Sequence, residues 1–247
     1  MSTRVIAIDG PSYVGKSSVA QTLAHLLGLT FINTGHMYRA VARLCLDRGI
    51  PHQDTAAVLE AARGARIKFL PGRGTFQTWV NEEDWTEKLD HNTTVLFASK
   101  IAVIPELRSL LTGMQRAYAR QNMIVMEGRD IGSIVFPDAA WKFFITASAD
   151  IRARRMFKMM TPDEQKQTGD YKVLLPKIEE LDQADRSRKI APLVQAPDAI
   201  VYDNSDSPDA RQDALILQYY ITHAGEIAEN APHLASKTGE ACKVSRN

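Results

Sequence analysis

The sequence predicts an α/β fold in which helices cover both faces of a five-stranded parallel sheet. Three observations predict it: short apolar runs rich in β-branched residues, helical repeats of apolar residues between them, and a glycine-rich turn joining the first run to the first repeat. Val5-Ile6-Ala7-Ile8, ended by Asp9-Gly10, suits a strand buried on both faces. From Lys16 the period changes, since Val19, Leu23, Leu26 and Leu27 fall on one helical face and Gly28 supplies a C-terminal cap. Residues 30–32 read as a second strand. Met37, Val41, Leu44 and Cys45 then restore the helical period until Gly49 and Pro51 stop it.

Residues 65–90 differ in character. Residues 66–70, a Pro-Gly-Arg-Gly turn and residues 75–81 read as a β-hairpin inserted between βα units. Helical patterning returns over residues 95–119, interrupted near Pro105, and three more strands follow at 123–126, 142–146 and 199–202. Strands alternating with helices imply parallel pairing. Residues 225–247 are polar, rich in small side chains and weakly periodic, so a mobile tail is expected after a single domain of residues 1–224.

Composition narrows the function classes. The 247 residues are 45% hydrophobic and 24% charged, enough for one sizeable core with room for an insertion. A formal net charge of +1 excludes the global basic field that holds nucleic acid by its phosphates. No apolar run is long enough to span a membrane and the first ten residues lack the features of a signal peptide, so a cytoplasmic address is expected. Cys45 and Cys242 have no metal-ligand spacing and read as free thiols. Two basic groups stand out, Arg152, Arg154 and Arg155, and Arg186, Arg188 and Lys189; on spacing alone each reads as a solvated helix face.

The turn Gly10-Pro11-Ser12-Tyr13-Val14-Gly15-Lys16-Ser17 satisfies G-x-x-x-x-G-K-[ST], the P-loop pattern, and it sits where that pattern needs to be, between a strand and a helix. Glycine permits the tight turn and close backbone approach to phosphate, and the helix opening at Lys16 adds the positive end of its dipole. Lys16 is then placed for β- and γ-phosphates, the Ser17 hydroxyl for Mg²⁺, and Ser18 for the loop's far end. Tyr13 and Val14, at positions that tolerate side chains, either cover the nucleotide or restrict the loop.

The second substrate has to be read elsewhere. Phe31-Ile-Asn-Thr-Gly-His-Met-Tyr-Arg39, Glu127-Gly-Arg-Asp-Ile-Gly132 and Asp185-Arg-Ser-Arg-Lys-Ile-Ala-Pro-Leu193 resemble, in order and spacing, segments of the bacterial cytidylate kinase family. The resemblance covers most of the chain and implies a P-loop kinase fold, with a small β insertion on the acceptor side and a mobile lid at about residues 156–170. It implies transfer of the γ-phosphoryl group of ATP, with Mg²⁺, to CMP or dCMP, by a protein with no nucleic-acid or membrane partner and expected to be a monomer. Carried over residue by residue, Thr34 and Arg39 are acceptor contacts, with Arg39 on the CMP phosphate. Ser99 and Arg108 lie near the cytosine, Arg129 is a phosphate ligand, and Asp130 is the carboxylate facing the base. Asp185 and Arg188 flank the nucleoside, while Arg152 and Arg155 at the lid hinge contact the donor phosphates.

These residue types suit the chemistry. Phosphoryl transfer needs alignment and charge neutralisation more than covalent help, and arginine supplies forked, permanent charge. Cytosine presents an amino donor where uracil has an acceptor oxygen, so a carboxylate such as Asp130 selects between them. On local grounds alone Asp130 could equally cap the following helix or pair with Arg129, Asp185 and Arg188 could be an ordinary ion pair three residues apart, and His36 reads as a helix-start residue. Three departures from the family pattern stand out: Tyr13 and Val14 replace small residues, with backbone strain expected if Tyr13 takes a positive φ; Leu181 occupies the first arginine position of R-D-x-x-D-x-x-R; and the tail beyond about residue 225 has no assigned counterpart.

Overall fold

The structure is a computed structural model that describes residues 3–71, 76–120, 123–207 and 209–222. The expected tail at 225–247 and the middle of the Pro-Gly-Arg-Gly turn lie outside the described residues. Strand β1 (Thr3–Asp9) is followed by helix α1 (Lys16–Leu27), which ends at Gly28 with φ 64°, the left-handed cap its position suggested. Strand β2 (Thr30–Asn33) runs directly into α2 (Thr34–Asp47), because the Asn33 side chain accepts the His36 N–H and caps the first turn. Helix α3 (Thr55–Arg63), capped by Asp54, has no counterpart among the expected elements. It is alanine-rich and buries only Val58, Ala61 and Ala62, so its apolar period is faint.

The inserted segment holds three strands rather than a two-stranded hairpin: β3 (Ile67–Pro71), β4 (Phe76–Val80) and the short β5 (Glu83–Asp84), all antiparallel. Helices α4 (Asn92–Ile101) and α5 (Pro105–Ala119) are separated where Pro105 takes the first position of a new helix. Strands β6 (Ile124–Gly128) and β7 (Ala139–Thr146) flank a single wide turn at Ile131–Val135. Helices α6 (Ala149–Lys158), α7 (Pro162–Thr168) and α8 (Leu175–Arg186), strand β8 (Ile200–Asp203) and helix α9 (Ala210–Thr222) complete the described chain.

The main sheet has the order β2-β6-β1-β7-β8 and all four neighbouring pairs are parallel. Strand residues alternate between two cores. Val5, Ala7, Ile32, Ile124 and Met126 pack with α2, α4 and α5, whereas Ile6, Ile8, Phe31, Val125, Phe143 and Ile145 pack with α1 and α9. That division explains why β1 is apolar at four successive positions, Val5 to Ile8, and shows no period of two there. The inserted sheet joins the first core through Ile67, Phe69 and Val80, and Phe76 meets Phe31 edge-on with centroids 5.6 Å apart.

The chain moves outward from β1 to β2, returns to β6 beside β1, and then crosses to β7 on the other side. Such a reversal opens a crevice at the carboxyl ends of the strands. Helices α6 and α8 stand beside this edge with a small core of their own, Ala153, Leu174 and Ile178, against which Met156, Phe157, Met160 and Leu175 lie partly buried. Helix α7 buries none of its residues and is fastened by Gln165, whose amide donates to the Phe157 and Met160 carbonyls. No described helix is long and apolar enough to cross a membrane.

Candidate active site

The loop of residues 10–15 closes the carboxyl end of β1. Gly10 has φ 147°, and a Cβ there would lie 2.0 Å from the Ile145 carbonyl oxygen, so only glycine lets β1 and β7 meet at this level. Gly15, at φ 88°, turns the chain into α1. Between them Tyr13 does adopt a positive φ, 62°, in a region that costs an ordinary residue energy. Its ring packs on the small core of α6 and α8, while Val14 is fully buried in the α1–α9 core. Val14 therefore does not cover a nucleotide. It restricts the loop.

Side chains from elsewhere hold the loop's backbone. The Ser12 carbonyl accepts from Arg152 Nε at 2.8 Å, and the Val14 carbonyl accepts from Arg155 Nη1 at 3.0 Å and Asn204 Nδ2 at 2.6 Å. Arg152 is also locked in a bidentate pair with Asp182, at 2.7 and 2.5 Å, and is buried. A phosphate reaches Arg152 only if that pair opens. Arg155 additionally donates to the Asn204 carbonyl at 2.8 Å, and Arg154 is outside the site, paired with Asp150 and stacked on Tyr171.

Inside the loop, the Lys16 ammonium is buried and donates to the Pro11 carbonyl at 2.6 Å. Burial, reinforced by the Arg129 guanidinium, pushes its pKa down to about 7 against the pull of Glu127, Asp185 and Asp9. The Ser17 hydroxyl donates to Glu127 Oε1 at 2.7 Å, and Glu127 Oε2 is buried without a partner. An unpartnered carboxylate oxygen beside a serine hydroxyl at a helix start is a donor set suited to a hydrated divalent cation. Asp9 accepts the N–H groups of Ile131 and Gly132 at 2.8 and 2.7 Å. Burial nevertheless raises its carboxyl to about 6.

Those two bonds hold the wide turn that begins at Asp130. Asp130 neither caps this turn with its side chain nor pairs with Arg129; it pairs with Arg108 at 2.6 Å, both residues being buried. Arg108 also donates to the Ala102 carbonyl and lies over the Tyr38 ring at 5.6 Å. Burial pushes the Tyr38 hydroxyl up to about 12. Arg129 instead donates from Nε to Asp185 Oδ2 and from Nη2 to the Ser12 hydroxyl, at 2.7 and 2.8 Å, so it bridges α8 to the loop. Arg188 takes the other Asp185 oxygen. Burial alone would raise the Asp185 carboxyl, but Arg129 and Arg188 outweigh it and hold it below the usual range.

The remaining expected residues are more scattered. The Thr34 hydroxyl is buried and donates to the Glu127 carbonyl at 2.7 Å, fastening the start of α2 to β6. Arg39 is paired with Asp90, and His36 lies 3.7 Å from the same Asp90 oxygen while its other ring nitrogen meets the Thr78 hydroxyl at 2.8 Å. Ser99 is exposed on α4, and its hydroxyl donates within its own helix to the Leu96 carbonyl. Leu181 is half-buried on α8, beside Asp182.

A P-loop at the carboxyl end of β1 with arginine–carboxylate pairs gathered around it suits the binding of phosphorylated ligands. A family model described as cytidylate kinase matches residues 6–218. The chain belongs to the cytidylate kinase family. Curated cytidylate kinases of similar sequence include that of Solibacter usitatus, 38% identical over 87% of this chain and 90% of its own. That of Caldanaerobacter subterraneus subsp. tengcongensis is 41% identical over 81% and 87% respectively, and that of Mycobacterium avium 39% identical over 84% and 90%. Five groups that join this network were overlooked in reading the sequence: Asp9, Asp90, Glu127, Asp182 and Asn204. Only Asp9 and Glu127 carried a visible signal, each a carboxylate at the end of an apolar strand.

Proposed function

We propose that this chain is a cytidylate kinase that transfers the γ-phosphoryl group of ATP to CMP or dCMP. The observation that carries the reading is the position of Arg129, which touches the phosphate loop through Ser12 and the acceptor wall through Asp185. A guanidinium shared between the two walls stands where two phosphate chains have to meet end to end.

The donor phosphates enter the cradle of Gly10, Pro11, Ser12, Tyr13, Val14, Gly15, Lys16, Ser17 and Ser18. Lys16 leaves the Pro11 carbonyl for the phosphates, which restores a full charge to an ammonium that burial has made easy to deprotonate. Ser17 and Glu127 would hold a hydrated Mg²⁺, which when bound neutralises charge on the phosphate chain. Arg39 and Arg188 hold the acceptor phosphate, and a phosphate oxygen of CMP attacks the γ-phosphorus as its bond to the bridging oxygen of ADP breaks. Arg129 and Arg155 neutralise charge gathered on the equatorial oxygens. Arg108 fixes Asp130 Oδ2, which leaves Oδ1 to accept the cytosine N4 amino group. Residues 156–170 close over the donor, helped by their lack of buried anchors in α7.

ADP release with ATP and Mg²⁺ measured across CMP, dCMP, UMP and AMP tests the reading. CMP or dCMP is expected to be the fastest acceptor, and a preference for UMP over CMP would remove the assignment.

A further inference from the structure

We propose that Asp90 is an internal competitor for the acceptor phosphate, an anion of the chain itself that occupies Arg39 until CMP displaces it. The proposal rests on the kinase reading above and adds a residue to which no role in the reaction has been given. Arg39 lies on the second turn of α2, with its guanidinium near Gly35, where a Cβ would lie 3.9 Å from Arg39 Nη2. Thr34, at the start of the same helix, is fastened to β6 beside the phosphate loop. Arg39 is therefore carried by a rigid element whose start lies at the site, and what it holds is decided by its neighbours.

The neighbour is Asp90, at the end of the turn Lys88–Asp90 that follows the inserted sheet. Its carboxylate pairs with Arg39 and is approached by His36 at 3.7 Å, whose ring is fixed by Thr78 of β4. The nearby His36 ring, with the charge of Arg39, holds the carboxyl below its usual range, so it is ionised at neutral pH. Asp90 has 62% of its side chain exposed and no anchor in a core. A carboxylate so exposed is free to swing away, and a phosphate dianion makes two forked bonds where a single carboxylate oxygen makes one. The acceptor's apparent affinity is then reduced by the fraction of molecules in which Arg39 is already taken. Asp90 also belongs to the inserted region, so its release loosens the link between that region and α2.

Asp90→Asn removes the charge and keeps the shape. It is expected to lower KM for CMP by about threefold, the scale on which an exposed ion pair holds its members together, with KM for ATP unmoved. In an Arg39→Ala background the same substitution is expected to have a much smaller effect, because the competition acts through Arg39. An unchanged or raised KM for CMP in Asp90→Asn would overturn the proposal, since a residue that merely orients Arg39 weakens acceptor binding when removed. An equal fall in both backgrounds would also overturn it. Wild-type protein that turned over no cytidine monophosphate would overturn the kinase reading first and the proposal with it, whereas wild-type turnover with an unmoved KM in the variant rejects Asp90 alone.

Discussion

Tyr13 offers a sharp test of the loop's geometry because two opposing terms can be separated by two substitutions. Its φ of 62° costs an L-residue with a Cβ about 1–2 kcal/mol relative to glycine, and its partly buried ring returns roughly 1 kcal/mol by covering the core of α6 and α8. Tyr13→Ala loses the ring and keeps the strain. Tyr13→Gly loses the ring and the strain together, and gives back about 0.4–1 kcal/mol through the greater freedom of glycine in the unfolded chain. The glycine variant should therefore be the more stable of the two by about 0.5–1 kcal/mol, inverting the usual order of alanine over glycine. Urea unfolding with equal slopes measures the difference as a shift in midpoint, and a thermal melt should separate the variants by about 2 °C. An alanine variant as stable as the glycine variant, or more so, would refute a strained left-handed Tyr13.

Three further outcomes follow from the same site. Lys16, lowered to about 7, binds fewer protons when folded than in the unfolded chain, where its value is near 10.5; stability contributed by this group therefore rises with pH between those values and is lost as pH falls through about 7. A bound phosphate chain reverses the shift, so ATP binding near pH 8.5 should take up a proton, and calorimetric heats identical in buffers of different ionisation enthalpy would contradict it. Arg108→Ala strands the buried Asp130 carboxylate and should cost about 3 kcal/mol in chemical unfolding, with a loss under about 1 kcal/mol counting against a desolvated pair. Leu181→Arg, next to Asp182 on α8, should change the ratio of turnover on CMP and dCMP; equal ratios before and after would mean that this position does not read the sugar.

How much of this was legible in the sequence depended on whether a residue's role was local. The phosphate loop and α1 could be read because glycine, strand and helix period lie within one short stretch, and the two-faced burial of β1 followed from its lack of alternation. Helix α3 escaped because alanine gives little contrast between faces, and the third inserted strand because Glu83 and Asp84 are both exposed. The residues expected on the acceptor side were suggested only by family likeness, since their partners are distant in sequence. Asp130 finds Arg108 on another helix, Arg129 finds Asp185 on α8, and nothing near Arg39 announces Asp90. Burial also hides intent, as with Glu127, whose free oxygen is a property of the packed site rather than of the residue.

Among the described residues, the core beneath α6 and α8 is built from three buried side chains, while the two main cores share the central sheet between them. Free energy of opening is therefore distributed unevenly along the chain. Amide protons of α8 can exchange with solvent by a local detachment that leaves β1 and β6 intact, whereas those of β1 exchange only when the whole molecule unravels. Because Arg129 and Arg152 tie α8 to the loop through the hydroxyl and the carbonyl of Ser12, each such detachment also loosens the loop from outside.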